Sequence, residues 1–366
     1  MATWCLLDTL SGRIDDDRID ATSRVAGLSL IARHMRRAAR AGWRGAVVLV
    51  DDESARQRCQ QAIAAEPPPD DFTVDYALSG QSPPEGRRYV RLSLHAVYEG
   101  AALENAVADG EPPEPMVRIS EWADLRRAER ALYRSIRKSV DQDGVVAYYI
   151  FRILSRQMTR LLIDTPVTPN QVSISAMVMG IVAALFATAG TLWGWQVAGV
   201  LFWFGAVIDC VDGEIARLRV KGSKLGEWLD SMADEVSTYG LLAGLGVGLL
   251  GSELEAYWST IAFVGAVIAV VVHYKLYADL YRAGAPIDTA QYPWFFGTPS
   301  SGERAGVSAN VIRWLGFCFR RDAFVTAVAI FLMVGDPRLA IVLLSGGVAL
   351  IMVLLGAHLL VTTVRR

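Results

Sequence analysis

From residue 172 onward the chain is dominated by apolar runs without a formal charge, at residues 172–189, 192–208, 236–250, 257–272, 323–335 and 339–364. No other feature limits the fold as strongly. In a hydrocarbon layer such a run has to satisfy its own backbone N–H and C=O groups, which restricts a spanning segment to a helix or a closed barrel. A bilayer core takes roughly 20 helical residues, so the shorter runs reach it by extending into their polar flanks. We expect a polytopic α-helical membrane protein with six transmembrane helices, the run at 323–335 being the shortest.

The first 165 residues have the opposite character and are rich in Arg, Asp and Glu. Whole-chain values of 52% hydrophobic and 20% charged residues, with mean hydropathy +0.30, blend two unlike halves. In the N-terminal half, "AGLSLIARHMRRAARAGWRGAVVLVDD" reads as an amphipathic helix, a Gly42 stop and a buried strand at 46–50. Strand-like runs follow at 72–78 and 89–94, separated by the Pro-rich turns "EPPPDD" and "SPPEGR". This alternation predicts an N-terminal soluble α/β domain over residues 1–138 with a largely parallel sheet. Its first βα turn, "LSGRIDDD", has one glycine followed by acids that would repel phosphate, so a structural or regulatory role is expected of it. Asp51 and Asp52 after the strand read as a solvated loop.

Between the halves, residues 139–165 form a predicted amphipathic helix. Arg152, Arg156 and Arg160 recur every four residues on one face, while Ile153, Leu154, Met158, Leu161 and Leu162 fill the rest. That pattern suits a helix lying in the membrane interface with its basic face towards headgroups.

Net charge −2 argues against a nucleic-acid binder. Cys5, Cys59, Cys210 and Cys318 show no metal-type spacing, and no disulfide framework is expected. The start of the chain lacks the basic n-region and long apolar core of a cleavable signal. His34, His95, His273 and His358 are isolated in sequence and read as satisfied or solvated groups. Orientation follows the basic residues. Arg217, Arg219, Lys221 and Lys224 lie between the second and third runs; Arg282, Arg304, Arg313, Arg320 and Arg321 lie between the fourth and fifth; the chain ends in Arg365 and Arg366. Arg338 is the one basic residue in the opposite connections. Both termini are therefore expected on the cytoplasmic side of the cytoplasmic membrane, as is the segment described next.

That segment, "DCVDGEIARLRVKGSKLGEWLDSMADE", places Asp209 and Asp212 at i, i+3 and Asp230 and Asp234 at i, i+4, so each pair shares a helix face. The short basic loop between them lets two helices bring all four carboxylates together. Acids beside membrane segments are costly and face a cavity or a partner. Oxygen-only ligands point to hard divalent ions, Mg²⁺ or Mn²⁺, and four carboxylates suit two of them. Gly213 and Gly226 permit close approach of backbone or substrate, and Arg217 offers a forked donor to phosphate oxygens.

The spacing Asp209-x2-Asp212-Gly213-x2-Ala216-Arg217-x8-Gly226-x3-Asp230-x3-Asp234 resembles the signature of the CDP-alcohol phosphotransferase family. The resemblance extends over roughly residues 140–366 and includes "TPVTPNQVS" ahead of the first run. It implies six transmembrane helices over residues 166–366 and transfer of a phospho-alcohol from a CDP-alcohol to an acceptor hydroxyl, with release of CMP. It implies that Asp209, Asp212, Asp230 and Asp234 hold two metal ions and that Asp234 also takes the acceptor's proton. It further implies nucleotide contacts from Gly213, Ala216, Arg217, Ser223 and Asn170, and a homodimer. The N-terminal half is similar, more loosely, to a degenerate nucleotidyltransferase-like domain fused to some inositol-phosphate-using members.

The donor expected is of CDP-diacylglycerol or CDP-inositol type. A phosphorylated acceptor such as inositol phosphate would need cations facing the site, for which Lys221, Lys224, Arg304, Arg320 and Arg321 are available. "GLLAGLGVGLLG" offers a surface for close helix packing. A six-helix cation-coupled transporter is the competing reading, though no internal repeat supports it.

Overall fold

The computed structural model describes residues 3–8, 19–78, 81–251, 253–284, 292–293 and 321–364. It divides into two compact units. One comprises residues 1–137, 160–166 and 214–221; the other comprises residues 138–159, 167–213 and 222–366.

The first unit is built on strands β1 (Thr3–Asp8), β4 (Gly45–Val50), β5 (Thr73–Leu78) and β6 (Arg88–Ser93), all parallel in the order β5-β4-β1-β6. Two small ribbons flank the sheet, β2 (Arg24–Val25) with β3 (Leu28–Ser29) and β7 (Ala96–Val97) with β8 (Val117–Arg118). Helices α1 (Leu30–Arg40), α2 (Glu53–Ala65), α3 (Gly100–Asp109) and α4 (Trp122–Ser135) complete the unit. The central strand sequences "TWCLLD" and "GAVVLV" are near-continuous apolar runs, as a parallel sheet covered on both faces requires. Cys5, Leu7, Val48 and Leu92 are fully buried between it and α1, whose Ile31, Met35 and Ala38 face inward. After α1 the chain reverses at Gly42, φ +86, and enters β4. Strands β4, β5 and β6 are the three read from sequence, with limits shifted by a residue, whereas β1, which lies between β4 and β6, was not among them.

The second unit is helical. A four-residue helix, α5 (Val140–Asp143), and a π-helical turn (Ala147–Phe151) lead into α6 (Arg152–Leu162), whose last residues belong to the first unit. The orientation of this segment differs from the expected one. Arg152 is turned inward, 7% exposed, and pairs with Asp143 at 2.7 and 2.8 Å. Ser155 and Thr159 follow it on the buried face, while Tyr149, Ile150, Ile153, Leu154 and Leu161 are exposed. The apolar residues form the outer face, so Arg152 is held by a carboxylate instead of a headgroup.

Six helices then follow among the described residues: α7 (Pro169–Ala187), α8 (Leu192–Leu218), α9 (Lys224–Gly248), α10 (Glu253–Arg282), α11 (Arg321–Val334) and α12 (Pro337–Val364). Four of them, α7, α8, α10 and α12, are long and apolar enough to cross a bilayer. Helix α9 carries Lys224, Glu227, Asp230, Asp234 and Glu235 in its first half, and α11 has 14 residues. At 1.5 Å per residue α11 is about 21 Å long, short of the roughly 30 Å hydrocarbon core. "TPNQ" proves to be the start of α7. Thr168 and Gln171 form a reciprocal capping box around Pro169 at the first helical position. The glycine-rich face of α9 is used within the chain: a Cβ on Gly244 or Gly248 would lie 2.3 Å from the carbonyl oxygen of Ala184 or Ala187 on or at the end of α7. Those glycines therefore let α7 and α9 approach backbone to backbone.

Candidate active site

The aspartates are carried in pairs, Asp209 and Asp212 late in α8, Asp230 and Asp234 early in α9. Between the helices the chain passes through Val220 at φ +49, a left-handed conformation rare for a β-branched residue. Ser223 then starts α9 as its N-cap, its Oγ accepting from the Gly226 N–H at 3.0 Å. The two helices bring one carboxylate oxygen each from Asp209, Asp212 and Asp230 to within 4.8 Å of one another. Asp212 is buried and accepts a hydrogen bond from Ser173 Oγ on α7. Asp234 is linked to the group through Arg321 at the start of α11, whose guanidinium pairs with Asp234 and, at 2.9 Å, with Asp209.

The donor set can be tested against a metal. All the gathered groups are carboxylates, the ligands that hard divalent cations prefer. Asp209 Oδ1 is buried and has no hydrogen-bond partner among the described residues. A buried anionic oxygen left this way is strongly disfavoured unless a cation meets it, so the residues present fit a divalent ion. Behind Asp209 and Asp234 a narrow crevice is walled by small residues, among them Gly180, Gly205, Ala206 and Ala233.

Gly213 lies one turn beyond Asp209 on α8, and Ala216 and Arg217 continue that helix to its end. Asn170 is the second residue of α7. A Cβ on Gly226 would lie 3.2 Å from both Asn170 Oδ1 and Ser223 Oγ, so that glycine allows the three to meet. Lys221 is exposed in the turn, and Lys224 opens α9. Arg321, expected to face an acceptor, sits on Asp209 and Asp234. Arg304 and Arg320 lie outside the described residues.

Sequence reasoning missed Ser173 and a set of contacts between α9 and α10, where Tyr277 donates to Glu235 and the Tyr239 hydroxyl lies 2.6 Å from His273 Nδ1. His273 and Tyr277 stand at i, i+4 just beyond the apolar middle of α10, which was the available signal.

A bundle of largely apolar helices with carboxylates gathered where two of them turn back defines a membrane protein with a polar centre suited to a cation. The family profile for CDP-alcohol phosphatidyltransferase matches residues 166–364, over half of the chain, and the chain belongs to that family. The family is generally dependent on divalent cations, in keeping with the aspartate cluster. A bifunctional IPC transferase and DIPP synthase from Thermococcus kodakarensis is 32% identical over 182 residues, 48% of this chain and 39% of the relative. Its namesake from Aquifex aeolicus is 30% identical over 145 residues, 40% of this chain and 32% of the relative. A phosphatidylinositol phosphate synthase from Mycobacteroides abscessus is 32% identical over 104 residues, 28% of this chain and 46% of the relative. The matched segments span less than half the length of each of these relatives.

Proposed function

We propose that the chain transfers a phospho-alcohol group from a CDP-alcohol to the hydroxyl of a small acceptor and releases CMP. The observation that carries this is the convergence of Asp209, Asp212 and Asp230 beside Asp234, on helices with the family's spacing. Asp209, Asp212, Asp230 and Asp234 would hold two divalent cations, Mg²⁺ or Mn²⁺, which when bound neutralise the diphosphate and ease ionisation of the acceptor hydroxyl. Asp234 takes the proton from that hydroxyl. Arg217 binds diphosphate oxygens with its fork of donors. Gly213 and Ala216 leave room for the nucleotide, and Asn170 and Ser223 offer it polar side-chain atoms. The acceptor oxygen forms a bond to the phosphorus of the transferred group as the bond to the CMP oxygen breaks.

Six transmembrane helices, cytoplasmic termini and a site at the cytoplasmic surface complete the proposal, with residues 1–138 non-catalytic and 139–165 lying in the interface. The exposed row Tyr149, Ile150, Ile153 and Leu154 is what an interfacial helix presents to lipid. The donor is CDP-diacylglycerol or CDP-inositol. The acceptor is an inositol phosphate, held by Lys221, Arg304 and Arg320, and by Arg321 once cations release it from Asp209 and Asp234; the relative named for phosphatidylinositol phosphate supports that class. Association as a homodimer is part of the same proposal. The transporter reading gives way to the family match.

The test is CMP release by the protein in lipid with Mg²⁺, using CDP-diacylglycerol or CDP-inositol, each with and without inositol phosphate. CMP formed from one donor and only with the acceptor is the expected result. Silence in every reaction would overturn the substrate assignment.

A further inference from the structure

The C-terminal turn of α8, which carries Ala216 and Arg217, belongs to the α/β unit, and two arginines of α1 close it. Arg33 donates to the carbonyl oxygen of Leu218 at 2.7 Å, and Arg36 donates to that of Arg219 at 3.0 Å. The last carbonyls of a helix have no partner within the helix, and they carry the negative end of its dipole. Cations that donate to them meet both needs.

Arg33 is 1% exposed, and among the described residues no carboxylate lies within ion-pair distance of it. Burial pushes its guanidinium down to about 9, which leaves it charged at neutral pH. Its countercharges are carbonyl oxygens: Leu218 on one side, Val25 at 2.5 Å and Ala26 at 3.0 Å on the other. The residue that follows the helix is tied down as well. Arg219 donates to Ile163 at 2.6 Å and Thr165 at 2.5 Å. Gly27, φ +79, has the Ile163 carbonyl where its Cβ would stand, at 2.5 Å. Thus the β2–β3 turn, α1, the end of α6 and the end of α8 form one packed knot.

Sheet stability alone gives no reason to bury a guanidinium against a distant helix end. We propose that the α/β domain serves as the C-terminal cap of α8, with Arg33 and Arg36 as positioning residues that fix Ala216 and Arg217 for the CDP-alcohol donor. This rests on the assignment of Ala216 and Arg217 to the nucleotide under Proposed function. Loss of the cap lets the last turn fray, so donor binding suffers while the aspartates further up the helix keep their places.

The experiment uses the full chain in lipid nanodiscs and compares wild type with Arg36→Gln, Arg33→Met and Arg33→Lys. Amide hydrogen exchange is followed at residues 218–221 and, as control, in β4. Donor KM and kcat are measured by CMP release. Arg36→Gln should speed exchange at 218–221 by about tenfold while β4 stays protected. It should raise donor KM by about tenfold with kcat held within about twofold. Arg33→Met should do more, and Arg33→Lys, which keeps the charge without the fork, should recover part of the loss. Wild-type exchange at 218–221 in a folded Arg36→Gln chain would overturn the proposal, as would a fall in kcat with donor KM unchanged. If Arg33→Met melts β4, Arg36→Gln decides. A wild-type chain that releases no CMP from either donor overturns the substrate assignment, whereas the exchange data still decide the cap.

Discussion

The two units bury charge in different ways. In the α/β unit the enclosed ionic groups are answered by partners of opposite sign: Asp8 by Arg91 at 2.9 Å, Glu66 by Arg24 at 2.8 Å, Arg33 by backbone carbonyls. In the helical unit like charges are gathered, with Asp209, Asp212 and Asp230 inside 4.8 Å and Asp234 joined to Asp209 through one arginine. The first arrangement is what a stable fold demands. The second works against stability unless a cation occupies it, which is why the proposed function is placed there.

The sharpest way to break this contrast is Asp212→Asn. The amide keeps the volume and can still meet Ser173, so the bundle should keep its helix content by circular dichroism. CMP release should fall by about a thousandfold or more, since removing one carboxylate from a shared cation site disrupts the electrostatic stabilisation on which transfer depends. Wild-type turnover in a folded Asp212→Asn chain would return the cluster to a merely structural status.

Next in size is the contrast between two glycines. Gly244 packs with the Ala184 carbonyl 2.3 Å from where a Cβ would stand, whereas Gly42 has open space and φ +86. Gly244→Ala forces α7 from α9 and should destabilise the bundle by about 3 kcal/mol. Gly42→Ala strains only its own backbone, by about 1–2 kcal/mol. Thermal unfolding of both variants in the same detergent checks the order; equal losses would show that the α7–α9 contact tolerates a methyl group.

A third test concerns pH in the α/β unit. Burial pushes His34 down to about 4; its Nδ1 lies 2.7 Å from the Leu30 carbonyl, and Arg33 and Arg37 add repulsion to the protonated form. Unfolded, the imidazole titrates near 6.5. As pH falls below that value the unfolded chain takes up a proton that the folded unit refuses. Stability should therefore drop between about pH 6.5 and 4 by up to about 3 kcal/mol. His34→Gln should flatten this slope, read by amide exchange in β4 across that range.

What could be read from sequence follows the same division. Strand β4 was legible because "GAVVLV" is apolar throughout, and the aspartates were legible because acids at helical spacing beside apolar runs are rare. Arg33 was not, since an amphipathic pattern sends arginines to solvent and gives no hint of a helix end to be capped. Arg152 failed for a similar reason: the spacing of the arginines showed a shared face, and only packing against Asp143 decided which way it turned. The glycines of α9 advertised a close contact without naming α7 as the partner. Ser173 looked like any serine in an apolar helix, where the hydroxyl commonly bonds back to its own turn; here it stays 3.3 Å from the Pro169 carbonyl while its proton goes to Asp212.

The smallest effect separates two uses of one residue. Ser223 caps α9 through Gly226, and its proposed second use is the nucleotide. Loss of an N-cap hydroxyl costs about 1 kcal/mol, so Ser223→Ala should lower the melting temperature slightly and raise donor KM. Asparagine caps helices as well as serine does, but its larger side chain would stand differently towards a ligand beside Asn170. Ser223→Asn should therefore restore the melting temperature while donor KM stays raised, as measured by CMP release at varied donor. Recovery of both together would make Ser223 a cap alone and assign the effect of Ser223→Ala to fraying at the start of α9, a few residues from Asp230.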